Sequence, residues 1–353
     1  VETVSFAPDF RHIQDVAANR RPARLPLYEH LISIETMERV LDTRFATALN
    51  GDAADRRHFF SEFCRFFAAT GYDTVSFEVC VTEVLPDNGA IMGGRPGPIQ
   101  NRSDCERYPW DELPDRFWQV AQPRLEALAA SLPPGMKAVG GIGNGVFEIS
   151  EDLVGFEYLC YLEHDDPELF ADLYRRIGDL LVKLWDRLLA QHIDVFAVCR
   201  FGDDLGFKTA TLLSPGSLRQ HVFPQYRRII DRVHAAGRRF LWHSCGNITA
   251  VMADALAAGI DAKHSNEDII APFDTWIARY GDRIGLLGGV DVDLLCQLPA
   301  AEVYRQVLDM AQRYRRTARG FALGSGNSIP AYVPVDGYLA MVEAGRRLRA
   351  DER

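Results

Sequence analysis

Short apolar or β-branched runs ending in Gly, Asp, His or Asn alternate with longer amphipathic stretches along most of the chain. The runs Leu25–Tyr28, Thr74–Val79, Ala138–Ile142, Val195–Phe201, Phe240–His243, Ala262–Ser265, Ile284–Gly288 and Phe321–Gly324 read as strands. Between them, Phe59–Thr70, Pro167–Gln191, Pro215–Ala236, Ile248–Ala258, Pro272–Tyr280, Ala300–Arg316 and Val335–Arg349 carry helical periodicity. Ser214-Pro215 and Ala271-Pro272 supply helix-start chemistry. Eight strand-like runs with helix-length connections predict an α/β fold, a (β/α)8 TIM barrel, with a doubly wound sheet as the rival. The Gly140–Gly145 run comes near a dinucleotide-binding loop, but its sequel Val146-Phe147-Glu148 does not read as a phosphate-binding helix start.

The irregular segment 86–135, rich in Gly, Pro, Arg and Asp, predicts an extended loop insertion or lid between strands two and three. A surface excursion carrying a helix at Asp115–Leu132 is the plainer alternative. No linker or repeat divides the chain, so 1–353 is expected to be a single domain with residues 1–20 as an N-terminal extension.

Composition narrows the function classes. Of the 353 residues 47% are apolar and 25% charged, which excludes a disordered chain. A formal charge of -10 and scattered arginines argue against a nucleic-acid binder. No run reaches the roughly 18 apolar residues of a membrane span. The first twenty residues lack the apolar core of a secretory signal, and seven dispersed cysteines read as reduced thiols, so a cytoplasmic location is expected. A homodimer is the default expectation for a soluble enzyme.

Candidate chemistry gathers at the strand ends. Phe240-Leu241-Trp242-His243-Ser244-Cys245-Gly246-Asn247 delivers a His and, two residues on, a Cys. Residues i and i+2 of a strand share a side, so both can reach one ion, and imidazole with thiolate suits Zn2+. The Asp203-Asp204 pair could serve as base and orienter or clamp a hydroxyl, with Lys208 to neutralise it, or form a solvated turn. Asp291 joins them as a candidate acid-base residue, with helix capping as its alternative. Glu78, His264 and Asn327 stand at other strand ends, Phe147-Glu148 reads as one more, and Tyr28 and Phe207 could wall a substrate pocket.

These motifs, with Gly288-Gly289-Val290-Asp291, Gly324-Ser325-Gly326-Asn327-Ser328-Ile329-Pro330 and Val335–Ala344, resemble the uroporphyrinogen decarboxylase superfamily, most closely over 194–349. The resemblance implies a (β/α)8 barrel. Decarboxylases of this family hold their substrate's carboxylates with an N-terminal arginine-rich loop. Here the first strand reads Arg24-Leu25-Pro26-Leu27-Tyr28-Glu29-His30, with Glu where cations are needed. The corrinoid-dependent methyltransferase branch, near the O-demethylases, fits better. It implies a small methyl donor (aryl methyl ether, methylamine or methylthiol type) and a corrinoid carried by a separate protein. It also implies zinc at His243 and Cys245. Relatives complete that site with a later Cys, where this chain has Asn327. Glu148, Glu78 or Asp203 would then be the further ligand, Glu148 being the one chosen, or the metal would be absent. Two other functions remain: a carboxy-lyase acting on a carboxylic acid, and a non-catalytic barrel that binds a tetrapyrrole or corrinoid.

Overall fold

The computed structural model describes residues 6–352. Seven parallel strands, β1 (Thr74–Cys80), β2 (Lys137–Gly143), β3 (Phe196–Gly202), β4 (Phe240–His243), β5 (Ala262–His264), β6 (Gly285–Val290) and β7 (Phe321–Ser325), lie side by side in chain order. Helices cross between them, so the architecture is TIM-barrel-like. The expected first strand forms no ladder: within Leu25–Tyr28, Leu27 makes one parallel bridge to Leu323 of β7. Arg24-Leu25-Pro26 explains part of this, because Pro26 has no N–H to give.

Alternation along the strands sorts the side chains. Val139, Val198, Leu241, Ala262, Leu287 and Ala322, from six strands, meet in one inner apolar cluster. Its base is closed by helix Arg11–Ala17, whose Ile13, Val16 and Ala17 join the cluster. The expected extension 1–20 is therefore partly core, while residues 1–5 lie outside the described residues. The outward-facing positions pack under the helices. Phe77, for example, meets the ring edges of Phe60 and Phe63 from helix Ala53–Thr70.

Two expectations change in detail. Within the 86–135 segment, Leu113–Ser131 is a crossover helix between β1 and β2 packed on Ala53–Thr70. The residues before it hydrogen-bond onto helix Val146–Val154, Gly89 and Ile91 through Asp152. The helix expected over 215–236 starts at Ser214, whose hydroxyl accepts the Ser217 N–H. It then widens into a π turn over Leu218–Val222 before continuing as Phe223–Ala235. Pro224 gives the reason, since it can donate no bond to the preceding turn.

Candidate functional site

Strand β4 places Leu241 and His243 inside the barrel and turns Phe240 and Trp242 out against Phe201 and Tyr226. His243 Nδ1 lies 2.7 Å from His264 Nδ1, and His264 Nε2 lies 3.0 Å from the Ser325 carbonyl oxygen. A carbonyl only accepts, so His264 carries its proton on Nε2 and presents a lone pair at Nδ1. His243 must then donate from Nδ1, which leaves its Nε2 as a bare lone pair. Burial keeps both rings neutral, with His264 pushed down to about 3. His30 stacks on His243 at 3.7 Å and is likewise held neutral by burial.

The bare His243 Nε2 faces Cys245 Sγ at 3.4 Å and Asp204 Oδ1 at 3.6 Å. Asp204 Oδ1 also accepts the Cys245 N–H at 2.8 Å, tying the β3 and β4 loops together. Those loops touch so closely that a Cβ on Gly246, whose φ is +76°, would sit 2.2 Å from Gly206 backbone atoms. Around the sulfur, Asn327 Nδ2 donates at 3.3 Å and Ser265 Oγ at 3.5 Å. Burial, with the Asp204 charge beside it, lifts the thiol's pKa. Ser265 has φ +95°, a conformation that L-residues avoid, and buried Lys263 donates to the carbonyls of His264 and Ser265 that flank the bend. The Lys263 ammonium lies 4.2 Å over the Trp276 ring, and burial pushes its pKa down to about 7.

Glu148 stands in the first turn of helix Val146–Val154, not at a strand end as expected. Its carboxyl accepts from the Asp204 N–H and the Asn144 amide, and Asp204 instead is the carboxylate that meets the His–Cys pair. Asp203 is spent differently. Its oxygens accept the Phe147 and Glu148 N–H groups and the Tyr226 hydroxyl, so it caps that helix from below. Burial raises its pKa to about 7. Asp291 caps helix Val292–Gln297 and accepts the Asp268 N–H, which is the capping alternative. Phe207 and Lys208 are exposed on the hairpin closed by the Gly206–Thr211 bridge. Among the described residues no ion pair joins Lys208 to either aspartate; the lysine whose charge acts on Asp204 is Lys263.

Tyr28 and Glu78 are brought together by a residue the sequence reading passed over. Arg200, fully buried inside the barrel, donates to Glu78 at 2.7 Å, to the Tyr28 hydroxyl at 2.9 Å and to the His30 carbonyl at 3.0 Å. Its signal was a single charge at an inward position of an apolar strand, two residues after Val198. Glu29, noted only as lacking a positive charge, is also buried. Its carboxyl contacts the Ser325 N–H and hydroxyl, and the same hydroxyl donates to the Asn327 carbonyl at 2.8 Å. One hydroxyl proton cannot serve both oxygens, so a protonated Glu29 donating to Ser325 Oγ satisfies the network. Burial raises its pKa to about 8, in agreement.

No helix among the described residues is long and apolar enough to cross a membrane. No curated protein matches the sequence. The fold is similar to that of a methyltransferase from Methanosarcina mazei, with a TM-score of 0.75 at 16% identity over 97% of this chain and 99% of that one. It is also similar to a B12-independent methionine synthase from Shewanella sp. W3-18-1, with a TM-score of 0.50 at 12% identity over 85% and 89% of the two chains. Residues 96–348 match the uroporphyrinogen decarboxylase (URO-D) family, which takes in the sheet from β2 onward and every side chain gathered around Cys245. The chain belongs to the uroporphyrinogen decarboxylase family.

Proposed function

We propose that this chain is a methyltransferase moving a methyl group from a small methylated donor, of the aryl methyl ether, methylamine or methylthiol type, to a corrinoid carried by a separate protein. The whole chain is read as one barrel with Leu25–Tyr28 as its eighth stave. Tyr28 N–H donates to Leu323, Leu323 N–H to Pro26, and on the other flank the Ser76 hydroxyl donates to the Glu29 carbonyl.

The observation that carries the proposal is the meeting of His243, Cys245 and Asp204, whose donor atoms lie within 4.8 Å of one another. Imidazole nitrogen, sulfur and carboxylate are a zinc donor set, and the His243 tautomer already presents a lone pair to it. Asp204 takes the place considered for Glu148. Zinc held there would supply a Lewis acid, stabilising charge on a leaving oxygen, nitrogen or sulfur. The chain's own residues prepare the place: His264 fixes the His243 lone pair, and the Asn327 and Ser265 donors stabilise negative charge on Cys245.

The test is elemental analysis of the purified protein beside the His243→Ala/Cys245→Ala double variant. About one zinc per chain, lost in the variant, is expected for a site of this type. A wild-type protein that takes up no zinc on reconstitution would sink the proposal. Metal-loaded protein is then offered methyl donors with a corrinoid protein, and cobalt methylation is followed by its absorbance.

A further inference from the structure

Where the sheet lacks a ladder, between segment 31–34 and β1, lies a cavity of about 440 Å3. That volume is in the range of small-molecule pockets, roughly 300–1,000 Å3. Ile32, Met37, Phe63 and Phe77 form apolar walls, while Glu78 and Ser328 supply polar groups. The cavity adjoins the candidate site on two sides. Segment 31–34 follows directly on His30, which stacks on His243, and Ser328 follows Asn327, which reaches Cys245.

Charge selects the ligand class. Glu78 gives one oxygen, Oε2, to Arg200, and its other oxygen carries no hydrogen bond from the described residues. The Arg200 pairing balances the Glu78 charge, so the pocket offers an acceptor without net charge. No lysine or arginine among the described residues lines it. A carboxylate would face the free Glu78 oxygen without a cation. A ligand cation would bring an uncompensated charge into an apolar space, at high desolvation cost. A neutral O–H donor fits. The aromatic walls favour a flat apolar body.

We propose that this cavity binds a neutral, ring-bearing apolar molecule through one hydroxyl that donates to the free oxygen of Glu78. Its role as the seat of the methyl donor's body rests on the function proposed above; the binding itself does not.

The experiment is calorimetric titration of the full chain with 2-naphthol, naphthalene and 2-naphthoate. Binding of 2-naphthol is expected, with naphthalene about tenfold weaker for want of one hydrogen bond and naphthoate weaker still. Leu49→Trp and Ile34→Phe, on walls remote from the strands, fill the cavity and should each weaken 2-naphthol at least tenfold. Thermal midpoint and zinc content serve as controls for the fold and the metal site. Unchanged naphthol affinity in both folded variants overturns the proposal. So does naphthoate binding as tightly as naphthol, or a wild-type protein that binds none of the three at millimolar concentration. Naphthol binding that the variants abolish in a protein without zinc would uphold the cavity while overturning the metal-assisted reading. Zinc without naphthol binding would do the reverse.

Discussion

In the lower part of the barrel interior, Val198, Leu241 and Ala262 pack with Ile13 and Val16 of the closing helix. Two residues further along the same strands stand Arg200, His243 and His264, also buried. The lower layer is stabilised by burial alone and tolerates any apolar set of the right volume. The upper layer carries charges and lone pairs in the same low-dielectric space, where a partner offsets the cost of burial; His30 Nδ1 is buried there without one among the described residues. Arg200 is answered by Glu78 and Tyr28, and His264 by the Ser325 carbonyl. His243 Nε2 is the lone pair the network leaves facing Cys245 and Asp204. The pleat sets the distance between packing and chemistry at one alternation, about 7 Å.

That contrast can be broken most severely at Arg200. Arg200→Met leaves the Glu78 carboxylate buried without its cation, and a loss of about 3–5 kcal/mol in urea unfolding is expected. Adding Glu78→Gln should restore most of it. A double variant no more stable than the single one would show that the upper layer is not held by pairing. At His264 the effect moves from stability to ligation. His264→Leu removes the acceptor that fixes the His243 tautomer, and zinc affinity should fall about 10–100-fold in competition with a chelator. His264→Gln, which can still accept, should recover part of that affinity; equal losses in both would leave His264 a packing residue.

The smallest effect is expected at Glu29. Its native pKa of about 8 lies above the ordinary value of 4.5, so the folded state holds a proton that the unfolded chain releases. The resulting stabilisation is full below pH 4.5 and is lost as pH rises through 8. Glu29→Gln keeps an acceptor for the Ser325 N–H and a donor for its hydroxyl. The variant should stay within about 1 kcal/mol of the parent at pH 5 and lack this fall toward pH 9. A pH profile parallel to the parent's would mean that Glu29 is ionised in the native state.

The His–Cys pair was legible because a two-residue spacing at a strand end keeps both side chains on one side; Cys245 lies just past the end of β4 and still meets His243 Nε2 at 3.4 Å. Its partners were not. Asp203 and Asp204 are neighbours just past the end of β3, where the chain leaves its pleat; one turns down to cap a helix and the other turns toward Cys245. No periodicity distinguishes them. Glu148 looked like a strand end because Val146-Phe147 is apolar, yet the chain has already begun a helix there, whose first N–H groups Asp203 satisfies. Asp291 could equally cap or catalyse on residue type alone, and its contacts are those of a cap.

By itself the sequence determined the alternation of strands and helices and the two-residue spacing that lets His243 and Cys245 meet. These properties are local: they depend on the period of apolar residues and on chain stiffness near Gly and Pro. Only the tertiary structure decided that Leu25–Tyr28 would make a bridge rather than a ladder with β7, and that a cavity would lie between segment 31–34 and β1. It also decided that Asn327, 82 positions from Cys245, would donate to its sulfur, and that a buried arginine would join Tyr28 to Glu78. Such contacts are set by where distant strands end relative to one another, and a side chain's chemistry there depends on neighbours that the order of residues does not name.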